Sequence, residues 1–311
     1  DVVKSPVNKI RLFEHGAPGS QNLKLTRKYY TEDMPDGRVK HIVQNITDPD
    51  IVPYIPDGIG NSTDRQRIPA VLIIPGGAFR RLVYNFEGED VAKWLNSMGI
   101  AAFVLECRLP SDEHDNAEDV PLIDAMRAMR VIRGRAQEFG IDEAKIGVMG
   151  FSAGGFMAAL LSTAYESDVY VDYKYKDEYD KLSARPDFAV CSYPVISIDD
   201  CIEAGKRYMS EEQVLERISD SKAKILHKYN PDKRVRPDMP PVFICETDDD
   251  RTTLSENSVG FYMAARKAGV SAELHIFRTG GHGYGCGDDF AQTGEWKVLF
   301  TKWIKSIGII S

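Results

Sequence analysis

An α/β fold, a mostly parallel central sheet with helices on both faces, is what this sequence predicts, on three observations. From residue 68 onward, short continuous apolar runs alternate with amphipathic helical patterns. One of these runs passes directly into Gly150-Phe151-Ser152-Ala153-Gly154 and then into a small-residue apolar segment. The last run, ending at Phe277, is followed by a histidine set among glycines, Thr279-Gly280-Gly281-His282-Gly283-Tyr284-Gly285. Continuous apolar strands, each followed by a helix, are buried on both sides, which is the pattern of a parallel sheet between two helix layers.

In chain order, residues 23–30 and 38–45 read as strands ahead of the repeat, and the polar run 48–67, rich in Pro and Gly, reads as a connecting loop. Apolar strand runs follow at 70–75, 101–106, 146–150, 188–193, 242–246 and 272–277. Helical patterns lie over 89–98, 122–139, 152–165, 210–229 and 256–268, and a last helix over 295–307 closes the chain. In the helix over 122–139, Leu122, Met126, Met129 and Ile132 recur at near-helical spacing, while Arg127, Arg130 and Arg133 fall on other faces, expected to be solvated. Such βα units after an antiparallel start are the plan of the α/β-hydrolase fold. No shift in composition divides them, so a single domain over 1–311 is expected, with N-terminal strands and loop at 1–68 and catalytic βα repeats at 69–311.

Composition agrees. The 311 residues are 43% hydrophobic and 28% charged, ordinary for a globular enzyme with a sizeable core. A net charge of −8, with no basic stripe, argues against a nucleic-acid partner. No run of apolar residues is long enough to span a membrane. The chain opens at Asp1 without methionine or a basic-apolar leader, and a removed signal peptide is one reading of that start. The five cysteines (Cys107, Cys191, Cys201, Cys245, Cys286) have neither metal-ligand spacing nor a readable disulfide framework.

Gly-x-Ser-x-Gly between a strand and a helix is the layout of a nucleophile elbow, with Ser152 at the apex of a strained turn. Gly150 and Gly154 keep the turn free of side-chain bulk, and the helix start aims backbone N–H groups at charge developing near Ser152. A serine hydroxyl needs a base, and the base an orienting acid, in the chain order Ser, Asp or Glu, His. Of the six histidines, His282 follows the last strand and is the candidate base; His15, His41, His114, His227 and His275 lie before the serine or inside regular elements. The acid comes from the loop after 242–246, which supplies Asp248, Asp249 and Asp250, and spacing does not choose among them. Oxyanion donors are expected from Ala153, the residue after the nucleophile, and from Gly77 or Ala78 in Pro75-Gly76-Gly77-Ala78-Phe79. Phe79 and Phe156 are candidate walls of the acyl site. This chemistry asks for no metal and no cofactor.

With these residues in place the chain resembles the bacterial acetylxylan and feruloyl esterases of polysaccharide breakdown. The resemblance lies in Gly16-Ala17-Pro18-Gly19, Pro75-Gly76-Gly77, Glu87-Gly88-Glu89-Asp90-Val91-Ala92 and Gly147-Val148-Met149-Gly150-Phe151-Ser152-Ala153-Gly154-Gly155. It continues in Ser183-Ala184-Arg185-Pro186-Asp187-Phe188, Tyr193-Pro194-Val195-Ile196, Glu256-Asn257-Ser258 and Gly280-Gly281-His282-Gly283. It implies Asp250 as the acid, since the family's acid stands six residues before the Glu-Asn-Ser that here begins at Glu256. The chain departs from the family at Phe156, often histidine there, at Cys107, usually tyrosine, and across 199–238. The implied activity is a secreted or periplasmic serine esterase deacetylating xylan through an acyl-enzyme. Feruloyl esterase and prolyl-oligopeptidase-like peptidase are the enzymatic alternatives, and a non-catalytic hydrolase-fold binding module is the other class. The tyrosines of 165–179 read equally as a sugar-stacking edge or as an insertion packed on its own base.

Overall fold

A computed structural model describes residues 6, 8–59, 67–207, 209–210, 212–214, 221–287 and 292–311. Its centre is an eight-stranded sheet in the order β1-β4-β7-β5-β8-β9-β10-β11. The strands are β1 (Ile10–Arg11), β4 (Asp50–Tyr54), β5 (Ile68–Ile74), β7 (Ala101–Glu106), β8 (Ile141–Phe151), β9 (Ala189–Ser192), β10 (Val242–Thr247) and β11 (Ala272–Phe277). From β7 to β11 every pairing is parallel, and β4 and β1 add an antiparallel edge. A smaller antiparallel sheet joins β2 (Lys28–Asp33), β3 (Val39–Gln44) and β6 (Leu82–Val83).

Strands β7, β9 and β10 are buried at every residue, on both sides of the pleat, so both sheet faces are covered. The helices that cover them are α1 (Asp90–Ser97), α2 (Val120–Gly134), α3 (Ala136–Phe139), α4 (Ala153–Ala164), α5 (Ile198–Lys206), α6 (Ser221–Lys228), α7 (Ser255–Lys267) and α8 (Trp296–Ser306). Trp94 of α1 meets Trp296 of α8 edge to face at 4.9 Å, while α2 and α4 pack on one another. Glycine sits where strands need room: a Cβ on Gly147 would lie 2.3 Å from the Phe188 ring.

Several expectations shift. The strand expected over 23–30 is β2 and runs later, over Lys28–Asp33, with the short β1 ahead of it. The loop expected over 48–67 contains β4, whose proline-bearing sequence hid it. Pro53 is tolerated because β1 pairs only with Ile51 and Asp50, which leaves the Pro53 position at an open edge. The single helix over 122–139 breaks at Arg135 into α2 and α3. Of the helix over 210–229, residues 211 and 215–220 lie outside the described residues, and α6 is its described end.

The arginine face of α2 is not solvated. Arg127 donates from Nη1 to Asp177 Oδ1 at 2.6 Å, Arg130 from Nε to the Leu182 carbonyl at 2.9 Å, and Arg133 from Nη2 to Asp187 Oδ2 at 3.0 Å. The three dock the segment 165–187 on α2. Its tyrosines follow: Tyr170 donates to Asp180 at 2.7 Å, Tyr173 to the Gly16 carbonyl at 2.9 Å, and Tyr165 to Asp238 at 2.7 Å. The segment is thus held on α2, at Gly16 of the N-terminal segment and at Asp238, while Tyr175 stays exposed beside His15.

Candidate active site

Parallel strands deliver their following loops to one edge of the sheet, and the candidate residues collect there. Strand β8 ends at Phe151 and α4 starts at Ala153, with Ser152 between them at φ 55° and ψ −118°. A positive φ on a serine is strained, and it holds only because the flanking glycines permit close packing. A Cβ on Gly150 would lie 1.9 Å from the Gly154 carbonyl oxygen, and one on Gly154 1.9 Å from that of Ile74.

Pairing of β10 with β11, Thr247 opposite Phe277, sets the acid loop beside the histidine loop. With its proton on Nδ1, His282 donates to Asp250 Oδ2 at 2.6 Å, and its Nε2 accepts from the Ser152 hydroxyl at 2.8 Å. Asp250 Oδ1 also accepts the Thr252 and Thr253 amides at 2.7 and 2.9 Å. Burial acts to raise the Asp250 carboxyl, but the hydrogen bonds from His282 and these amides outweigh it and hold the carboxyl below its usual range. The neighbours do other things. Asp249 accepts the Gly281 amide at 2.8 Å, which holds the histidine loop and its own carboxyl low. Asp248 is exposed, and its amide donates to the Phe277 carbonyl at 2.8 Å.

Behind Asp250 lies a second carboxyl that sequence reasoning left inside a strand. Glu246 is fully buried and accepts from the Thr247 amide at 2.9 Å and from the Ser258 hydroxyl at 3.3 Å. Burial first, then the charge of Asp250, push it well above the ordinary carboxyl range. The two neighbouring carboxyls are thus pushed in opposite directions, Asp250 down by its hydrogen bonds and Glu246 up by burial and by the charge of Asp250. An acid ending an otherwise apolar strand was the available signal.

The turn after β5 has Gly77 at φ 140° and Ala78 at φ 57°, and both line the cleft with Ser152 and His282. A Cβ on Gly77 would lie 2.1 Å from the Arg81 carbonyl oxygen, so only glycine closes this turn. Ala153 opens α4, so its N–H has no carbonyl to bond within the helix. The cleft holds about 240 Å³ and is walled by Met34 and Arg38 of the β2–β3 turn and Lys40 of β3, with Phe86, Glu87 and Tyr284. Phe79 and Phe156, expected as acyl-site walls, are a correction. Both are buried, and they pack edge to face at 5.5 Å within the core. The helix phase that puts Ser152 at the apex turns Phe156 inward, and Phe86 and Met34 supply the apolar wall instead. No tyrosine of 165–179 lines this cleft. Among the described residues no cluster of His, Cys, Asp and Glu has metal-site geometry, and no helix is long and apolar enough to cross a membrane.

Residues 59–264, more than half of the chain, match the model of the BD-FAE family. The chain belongs to the BD-FAE family. This BD-FAE chain is 31% identical over 240 residues to an acetylxylan esterase of Xylanibacter ruminicola, covering 76% of the chain and 45% of that protein. It is 31% identical over 227 residues to endo-1,4-beta-xylanase B of Butyrivibrio fibrisolvens, covering 73% of the chain and 34% of that protein. The chain thus spans less than half the length of these relatives. Among solved structures, an acetyl ester-xyloside bifunctional hydrolase from Caldicellulosiruptor lactoaceticus is 34% identical, with 98% of this chain and 97% of that one covered and a TM-score of 0.71. A propionate-bound esterase of Thermogutta terrifontis, at 23% identity, 92% and 96% coverage and TM-score 0.66, is similar in fold. The BD-FAE chain has the α/β-hydrolase fold. The matched region includes Gly77, Ser152 and Asp250 but ends before His282.

Proposed function

We propose that this BD-FAE chain is a serine carboxylic-ester hydrolase of carbohydrate esters, an acetylxylan-type deacetylase built as one domain. The observation that carries the reading is the hydrogen-bonded line from Ser152 through His282 to Asp250, 2.8 and 2.6 Å long, at the wall of an open cleft. Ser152 Oγ attacks the ester carbonyl carbon while His282 Nε2 takes the hydroxyl proton. The tetrahedral oxyanion accepts hydrogen bonds from the amides of Ala153 and of Gly77 or Ala78. As it collapses, the C–O bond to the sugar breaks and His282 returns the proton to the departing sugar oxygen. Water, deprotonated by the same imidazole, then attacks the acyl carbon, the bond to Ser152 Oγ breaks, and His282 returns the proton to Oγ as the carboxylic acid leaves. Asp250 keeps the proton on Nδ1 and stabilises the imidazolium. None of these steps uses a metal or cofactor.

Acetylated xylan as substrate is supported by the acetylxylan esterase and the acetyl ester-xyloside hydrolase among the similar proteins. A polymeric substrate of that kind fits a secreted or periplasmic enzyme. Feruloyl esterase is the second reading, favoured by Phe86 and Met34 in the cleft wall, which suit an aromatic acyl group. The test is release of acetate and of ferulate from native xylan fragments, beside kcat/KM on 4-nitrophenyl acetate, butyrate and octanoate and on methyl ferulate. Acetate release from the fragments, with rates falling from acetate to octanoate, is expected; faster turnover of ferulate or octanoate would replace the deacetylase reading. Apolar discrimination of about 1–3 kcal/mol per methylene makes that fall graded.

A further inference from the structure

One buried acid in the cleft wall has no part in the steps above. Residues Asn85–Glu89 form a single π-helical turn that runs into α1, a rare geometry often found beside functional sites. It lowers Glu87 beneath the turn that follows β5, where the carboxyl is buried. Each oxygen has its own donor. Glu87 Oε2 accepts the Gly76 amide at 2.8 Å, and Oε1 accepts the Tyr193 hydroxyl at 2.9 Å. The Tyr193 oxygen in turn accepts the Gly285 amide at 3.1 Å, and the Gly285 carbonyl accepts from Trp296 Nε1 at 3.0 Å. Tyr193 also stands edge-on to the His282 ring at 5.0 Å, and its carbonyl accepts from Thr253 Oγ1 at 3.3 Å. That same Thr253 hydroxyl lies 3.0 Å from Asp250 Oδ2.

We infer that Glu87 is a positioning residue of the ester-hydrolysing site, bracing the oxyanion turn at Gly76 and, through Tyr193, the histidine loop at Gly285. The inference rests on the proposed triad. Glu87 hydrogen-bonds neither Ser152 nor His282, so it acts through the groups it holds. Two features show that the geometry is built for this contact. Gly76 cannot carry a side chain, because its Cβ would lie 2.7 Å from Glu87 Oε2 and 2.4 Å from the Phe151 carbonyl oxygen. Tyr193 is held at φ 37°, a left-handed conformation that is strained for a bulky residue and is kept where the surroundings determine it. Burial pushes the Glu87 carboxyl above its usual range, against the pull of the facing His282. An apolar side chain would fill the space without that desolvation cost, so the carboxyl is kept for its two acceptors. Fixing the Gly76 amide fixes the start of the turn whose next two residues, Gly77 and Ala78, line the cleft. A misplacement of about 1 Å there costs on the order of a hundredfold in rate.

The test uses Glu87→Leu, Glu87→Gln and Tyr193→Phe, each measured for kcat and KM on 4-nitrophenyl acetate, melting temperature, and affinity for an aryl boronic acid. The boron of that probe takes the Ser152 oxygen, and the charge gained sits where the ester oxyanion would. Glu87→Leu is expected to lower kcat and boronate affinity together by about tenfold or more, with KM little changed, as loss of oxyanion support does. Glu87→Gln, which keeps an acceptor for Gly76, should recover most of both. Tyr193→Phe should lose a smaller share, and combined with Glu87→Leu it should add little, because both cut one brace. Unchanged kcat in Glu87→Leu, or a loss that leaves boronate affinity intact, overturns the inference. If Glu87→Leu does not fold, Tyr193→Phe decides: kcat and boronate affinity falling together support the brace, and wild-type values for both overturn it. Ser152→Ala run alongside separates the two readings, since hydrolysis surviving in that variant removes the triad itself.

Discussion

Three adjacent carboxylates illustrate how finely single residues divide their work here. Asp250 meets the imidazole, Asp249 meets the Gly281 amide, and Asp248 stays exposed. Asp250→Asn should therefore cost about four decades of kcat, since it leaves His282 in the wrong tautomer. Asp249→Asn should cost about tenfold, by loosening the loop that carries the base, and Asp248→Asn almost nothing. Ser152→Ala should lose roughly three or more decades while melting normally, because the hydroxyl serves bonding and not packing. A variant that kept a tenth of the activity would remove Ser152 from the mechanism.

At the scale of elements, α2 does more than cover the sheet. Its Asp124 receives Arg108 from Nε at 3.0 Å and Nη2 at 2.7 Å, as well as the Arg108 amide at 2.8 Å, and both side chains are fully buried. Arg108 Nη1 continues to the Ser20 hydroxyl at 2.8 Å, so one ion pair ties α2, the end of β7 and the N-terminal segment together. Asp124→Ala strands a buried guanidinium and should cost about 3–5 kcal/mol. Urea unfolding of the two proteins measures it, and a loss under about 1 kcal/mol would mean that water reaches Arg108 once the carboxylate is gone.

The stability of the whole molecule carries a pH signature from the loop after β7. His114 is buried, its Nε2 3.9 Å from Asp112 Oδ2 without a hydrogen bond among the described residues, and burial together with Arg108 lowers its pKa to about 4. The unfolded chain takes that proton near ~6.5, so it binds more protons than the fold between the two values, and stability falls as pH drops through the window. Asp112 works in the opposite direction: burial raises it to about 6, and stability falls as pH climbs from about 4 toward that value. The two slopes offset in the native protein. His114→Gln should leave a fold that weakens from pH 4 to 6, and Asp112→Asn one that weakens from 6.5 down to 4. Melting temperatures of both variants across that range decide the matter, and parallel curves would refute the assignment.

Much of the architecture was legible because it is written locally. Strands 101–106 and 272–277 match their apolar runs residue for residue, and the elbow announces itself through glycines that must touch backbone. The histidine loop too was readable from glycines on both sides of His282. Tertiary structure decided the rest. It turned Phe156 into the core, paired three arginines expected in solvent, and made a strand of Pro53 and its neighbours. It also selected Glu87 and Tyr193, which stand 106 residues apart. The physical reason is range. Hydrophobic period and glycine placement report how one element meets the core, and both follow from neighbours in sequence. A buried polar group reports nothing until it has a partner, and partners meet only after sheet register has carried the strand ends together.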